Sequence, residues 1–167
     1  MFSKVSLTFK VLFLSLFLFS FCSEKAEAQS VVYLIGKKYA NAESEVTVNG
    51  KDKFEFRGPV EKVKVTPPTS MTDTLVLTTY KSCIKKCTFN EPGKVLLNWK
   101  YNYTNPVNKN VQHYESEIQL NLTEGSVHYV ELKIKITNDI EMVELSEKKG
   151  AKLVAKGKHV TLPEYVK

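Results

Sequence analysis

Few side chains in this sequence stand at spacings that could do chemistry. The three histidines, His113, His128 and His159, lie far apart, and none has a second histidine, a cysteine or a carboxylate at metal-ligand spacing. His128 stands beside Tyr129 at the start of an alternating run, the place of an ordinary sheet histidine. The aspartates Asp52, Asp73 and Asp139 are as scattered, whereas a calcium loop needs carboxylates at alternate positions. Glu141, Glu144 and Glu147 read as a solvated strand edge. Serine nucleophile elbows, phosphate-cradling glycine loops and dinucleotide fingerprints are missing from the sequence. The expectation is a protein that is not an enzyme, with no catalytic residue, no metal and no cofactor.

The aromatics are the better lead. Trp99, Tyr101 and Tyr103 alternate, so a regular strand puts all three on one face, and Asn102, Asn105, Asn108 and Asn110 follow in a loop-like stretch. One reading is an aromatic platform for a sugar ring or a protein partner, with Tyr101, Tyr103, Asn105 and Asn108 as contact residues. The other puts Trp99 at the centre of a core with the tyrosines along its edge, and a lone tryptophan in a sandwich usually sits there. Cys83 and Cys87 form an even pair. In an oxidising compartment they are expected to make a disulfide, a local staple contributing about 2 kcal/mol, with two free thiols as the alternative. The spacing is not C-x-x-C, which speaks against a redox site.

The chain opens with an export signal. Lys4 and Lys10 lead into an apolar run from Val11 to Phe21, and a polar stretch closes on Ala26-Glu27-Ala28, the small-x-small pattern cut by signal peptidase. The run is shorter than the roughly 20 residues of a bilayer span. A signal peptide over 1–28 and one domain over 29–167 are expected, with no transmembrane segment in the mature chain and a periplasmic or extracellular location. Cys22 offers an alternative as the acylated first residue of a membrane-anchored lipoprotein, but Phe21 stands where that peptidase takes a small side chain. The net charge of +6 loses Lys4, Lys10, Lys25, Glu24 and Glu27 with the signal, which leaves about +5. Arg57 is the only arginine, and the lysines are spread along the chain rather than gathered in a stripe. Nucleic acid is therefore not an expected partner.

The mature region alternates with period two. Ile118, Leu120 and Leu122 share one face, as do Val130, Leu132, Ile134 and Ile136, and Glu124-Gly125-Ser126 between them predicts a hairpin. Val46-Thr47-Val48, the turn Asn49-Gly50 and Phe54-Glu55-Phe56 predict another. Val31 to Ile35 reads as a strand buried on both sides, and Val63 with Val65 as one stopped by Pro67-Pro68. Further strands are expected over Thr74–Tyr80, Ile84–Phe89, Val95–Tyr103 and Met142–Leu145, with an exposed loop over Asn102–Gln112. Gly150–Ala155 fits a strand or a short helix, and the tail from His159 to Lys167 is expected to be loosely ordered. Eight or nine short strands without crossover helices make an all-β antiparallel sandwich.

Three patches resemble the DUF2846 family, small exported bacterial β-sandwich domains and lipoproteins of unknown function. They are Val32-Tyr33-Leu34, Val46-Thr47-Val48-Asn49-Gly50 and Gly125-Ser126-Val127-His128-Tyr129-Val130. Glu91-Pro92-Gly93-Lys94 is similar to that family's Pro-Gly turn, after a longer insert, and a clean lipoprotein signal is missing. The resemblance implies an immunoglobulin-like or transthyretin-like sandwich with no activity attached. The expected function is that of an exported noncatalytic binding or interaction module of the bacterial cell envelope, met by a protein or glycan through loops or a strand edge. The alternatives are a structural accessory subunit of an envelope assembly, and a cell-envelope hydrolase.

Overall fold

The computed structural model describes residues 28–37, 39–40, 42–65, 75–105, 107–135 and 139–167. Residues 1–27, which hold Cys22 and all but Ala28 of the expected signal, lie outside them, as do Pro67-Pro68, Asp73 and Ile136. The strands are β1 (Ser30–Gly36), β2 (Tyr39–Ala40), β3 (Ala42–Val48), β4 (Asp52–Glu55), β5 (Val60–Val65), β6 (Leu75–Tyr80), β7 (Cys83–Phe89), β8 (Gly93–Thr104), β9 (Val111–Leu122), β10 (Val127–Ile134) and β11 (Ile140–Leu145). Helix α1 (Glu147–Ala155) and two short strands, β12 (Val160–Thr161) and β13 (Tyr165–Val166), complete the order.

A four-stranded sheet runs β4-β3-β8-β9, all antiparallel. A six-stranded sheet runs β11-β10-β1-β7, with β12 and β13 one after the other along the outer edge of β7. Both sheets send side chains into one apolar cluster. Val32, Leu34, Val130 and Leu132 enter it from the larger sheet, and Val46, Val48, Leu97, Trp99 and Leu120 from the smaller. Burial of such side chains contributes roughly 1.5–3 kcal/mol each, which holds the two layers together. A third sheet, β2-β6-β5, stands apart from these two in its pairing.

The fold is all-β apart from α1, as the period-two pattern requires, but it is not wholly antiparallel. β1 pairs parallel with β10, and β12 and β13 pair parallel with β7. Alternation reports which residues face a core, and strand direction leaves no trace in it.

The Asn49-Gly50 hairpin forms as expected. Both residues have positive φ, 50° and 67°, and Lys51 N–H bonds Val48 O at 3.1 Å. The Glu124-Gly125-Ser126 turn forms, with Gly125 at φ 71°, yet it does not make a hairpin. β9 pairs with β8, while β10 pairs with β1 and β11, so the turn carries the chain from one sheet to the other. The two apolar faces do meet, across the core and not side by side.

The expected loop from Asn102 to Gln112 is shorter than its composition suggests. β8 and β9 stay paired out to Thr104 and Val111, because their polar residues lie on the solvent face of a paired strand.

Helix α1 covers the outer face of the larger sheet. Leu153 and Val154 pack on Ile35, Ile84, Tyr129 and Leu145, and Gly150 lies directly over the Tyr129 ring. The tail is ordered, contrary to expectation. Val160 N–H bonds Ser82 O, Leu162 N–H bonds Ile84 O, and Lys167 N–H bonds Thr88 O. Tyr165 and Lys167 also reach across to Asp52, the first residue of β4, at 2.8 and 2.9 Å. The tail thus closes one open side of the sandwich and covers the edge of β7.

The expected Cys83–Cys87 disulfide is absent; both thiols are free and buried. They lie four residues apart on β7, which pairs with β1 residue for residue from Phe89 to Cys83. An extended strand at about 3.3 Å per residue separates their Cα atoms by roughly 13 Å, whereas a disulfide needs less than about 7 Å. Burial pushes both thiols up to about 12. Between them on the same face, Lys85 is 6% exposed. Its Nζ donates to Pro163 O at 2.7 Å and lies 4.4 Å from the centre of the Phe54 ring, so the tail accommodates its charge.

Candidate functional site

The aromatic triplet does share a face, and that face points inward. Trp99 is 0% exposed and its Nε1–H donates to Ser44 Oγ at 2.8 Å. Tyr101 is 4% exposed, with its ring 5.8 Å from Trp99 and 6.3 Å from Tyr114. Burial, with Tyr103 and Tyr114 close by, pushes the Tyr101 phenol up to about 12. Tyr103 is half-buried and packs on the same cluster. The triplet belongs to the core, and Tyr101 in particular has no surface to offer a partner. Asn105 and Asn108 hold the β8–β9 turn instead. Asn105 Oδ1 accepts from Val107 N–H at 2.9 Å and Asn108 N–H at 3.4 Å, and Asn108 Oδ1 accepts from Asn110 N–H at 3.0 Å.

A different constellation forms at the opposite end of the sandwich, where the β3–β4 and β7–β8 turns meet the tail. They enclose an open cleft of about 310 Å³. Each wall has a local cause. Asn49 clamps its turn to β8: its N–H donates to Leu96 O and its Oδ1 accepts from Leu96 N–H, both at 2.8 Å. Pro92 leads into Gly93, whose φ of 149° suits glycine, and the chain reverses there into β8. Asn90 N–H donates to Lys167 O at 2.7 Å, and Asn90 Oδ1 accepts from Gln29 Nε2 at 2.9 Å, which ties the tail and the start of β1 to the same turn.

The floor is apolar, from Phe89 and Val95, both buried. The rim is polar, with Asn49, Asn90, Glu91, Lys94 and Lys167. An apolar floor under convergent amide, ammonium and carboxylate groups suits a hydroxyl-rich or amide-rich ligand that also presents a ring or aliphatic face. The sequence singles out two of these turns, Asn49-Gly50 and Glu91-Pro92-Gly93-Lys94, and both as turns rather than as a site. Their convergence depends on the pairing of β3 with β8 and of β1 with β7, which is not written locally.

The histidines are dispersed. His113 Nδ1 lies 2.8 Å from Asn102 Oδ1 on the solvent face of the four-stranded sheet, and His128 is on β10 beside Glu144. Among the described residues no three His, Cys, Asp or Glu side chains are grouped so as to hold a metal ion. Among them, too, no helix is long and apolar enough to cross a membrane. Compared with protein-family models, curated proteins and solved structures, the chain matches none.

Proposed function

We propose that this chain is an exported binding module of the bacterial cell envelope, an immunoglobulin-like or transthyretin-like sandwich released by cleavage after Ala28. Its loop-end cleft takes a glycan or a peptide of the envelope. The observation that carries this reading is the cleft itself: four chain segments distant in sequence are locked together by the Asn49–Leu96, Asn90–Lys167 and Gln29–Asn90 hydrogen bonds. Such locking keeps polar groups in place before a ligand arrives, which lowers the entropic cost of binding.

Titration of isotope-labelled protein with soluble peptidoglycan fragments tests it. Amide shifts confined to Asn49, Asn90, Gly93 and Lys94 support the reading. Saturable shifts elsewhere, with those four unmoved, contradict it.

A second reading, an accessory subunit docked on a larger assembly, is favoured by one observation. The β8–β9 hairpin tip holds Val107 81% exposed and Val111 49% exposed. Apolar residues so placed suit a protein contact.

A further inference from the structure

At the corner where β9 passes into β10, three side chains form a hydrogen-bonded chain. Ser126 Oγ accepts from Thr123 N–H at 3.1 Å. The same Oγ is 3.2 Å from His128 Nε2, and His128 Nδ1 is 2.6 Å from Glu144 Oε1. One tautomer satisfies all three contacts: Nδ1–H donates to Glu144, and Nε2 accepts the hydroxyl hydrogen of Ser126. The fold fixes this geometry. Ser126 and His128 are two residues apart, so they share a face as β10 begins. Glu144 comes from β11, whose antiparallel register sets it opposite Val130, on that same face.

The cluster is open to solvent. The His128 side chain is 17% exposed, that of Glu144 is 48% exposed, and Ser126 is half-buried. A histidine that merely packs in a sheet needs neither a serine on one nitrogen nor a carboxylate on the other. A hydroxyl, a base and a carboxylate that orients the base are the parts of a nucleophilic hydrolase.

The geometry points to Ser126, His128 and Glu144 as an acyl-transfer site that hydrolyses carboxylic esters. This goes beyond the binding reading and does not depend on it. Ser126 Oγ attacks the ester carbonyl carbon as its proton passes to His128 Nε2. The bond from carbonyl carbon to alcohol oxygen breaks, and that proton leaves with the alcohol. Water then attacks the acyl-serine, gives a proton to His128, and the acid departs as the proton returns to Ser126 Oγ. One ester and one water become one acid and one alcohol. Ser126 and His128 are the catalytic residues, and Glu144 is a positioning residue that acts through the imidazole ring.

The test is labelling of the folded protein with diisopropyl fluorophosphate, followed by peptide mass analysis, with heat-unfolded protein as the background. Phosphorylation of Ser126 above that background is expected, with fluoride as the leaving group. His128→Gln leaves the Thr123 cap on Ser126 intact and should slow labelling by about 100-fold or more. Glu144→Gln should slow it at unchanged melting temperature, and Glu144→Asp should recover part of the rate. No adduct at Ser126 above background, or equal rates for wild type and His128→Gln, overturns the assignment. Neither result bears on the cleft, which the glycan titration tests separately.

Discussion

Replacing Gly150 by alanine should destabilise this protein, although the same change in most helices stabilises it. Alanine is favoured over glycine inside a helix by about 1 kcal/mol. Here, however, a Cβ at position 150 would stand 2.1 Å from Tyr129 Cγ, 2.4 Å from its Cβ and 2.6 Å from its Cδ1. Carbon atoms in contact prefer about 3.5–4.0 Å, so the helix or the ring must move by well over 1 Å. The ring has little room, because it stacks on Tyr33 at 5.3 Å and 12°. The helix must therefore lift, and it loosens the packing of Leu153 and Val154 on the sheet. Overpacking of this kind costs about 1–3 kcal/mol, and a clash this deep belongs at the upper end. After the propensity gain is deducted, a net loss of about 1–2 kcal/mol is expected. Urea unfolding of wild type and Gly150→Ala measures it. Ala151→Gly, on the exposed side of the same helix, is the control and should lose about 1 kcal/mol. If Gly150→Ala is as stable as wild type or more so, the close approach of α1 to Tyr129 is wrong.

Three further outcomes are expected. Iodoacetamide should leave Cys83 and Cys87 untouched in the folded protein and add two groups after unfolding without reductant; a need for reductant would restore the disulfide. Ser44→Ala should cost about 0.5–1.5 kcal/mol, since it removes the 2.8 Å hydrogen bond that Trp99 Nε1–H donates in the core; no measurable change in urea unfolding would count against that bond. Hydrogen bonds from Lys167 and Tyr165 hold the Asp52 carboxyl below its ordinary 3.8. A depressed folded value means that the anchoring is whole above 3.8 and is lost as the pH falls through that lower value. Protection of the Lys167 amide from exchange, relative to its intrinsic rate at each pH, should therefore fall in acid, since its N–H bonds Thr88 O, and Asp52→Asn should remove most of that dependence. An acid response unchanged by Asp52→Asn would contradict it.

What alternation could report, it reported correctly. The strands around Val32, Val46, Leu97 and Leu120 are where the period-two pattern places them, and their apolar faces fill the core. Asn49-Gly50 was legible because positive φ at two successive residues leaves few residue types to choose from. Partnership was not legible. The pattern is silent on whether β9 lies beside β10 or across the core from it, and on whether β1 runs with or against its neighbour. The aromatic triplet was legible as a shared face, but whether that face is a surface platform or part of the core was left open, and burial of Trp99 and Tyr101 decides for the core. The cleft was hidden because Asn49, Asn90 and Lys167 are brought together only by sheet pairing. Ser126, His128 and Glu144 were hidden for the same reason, since Glu144 reaches the pair from a neighbouring strand. The tail looked expendable because its strands are only two residues long and take their hydrogen bonds from β7.

The loop end holding Asn90 and Lys94 is the surface proposed to meet the envelope partner. Site-specific photo-crosslinking in the native host tests it most directly, with the probe placed in turn at Lys94 on the cleft rim and at Lys100 on the solvent face of the four-stranded sheet. One discrete envelope adduct is expected from position 94 and none of that mass from position 100. The same adduct from position 100, with position 94 silent, would contradict it.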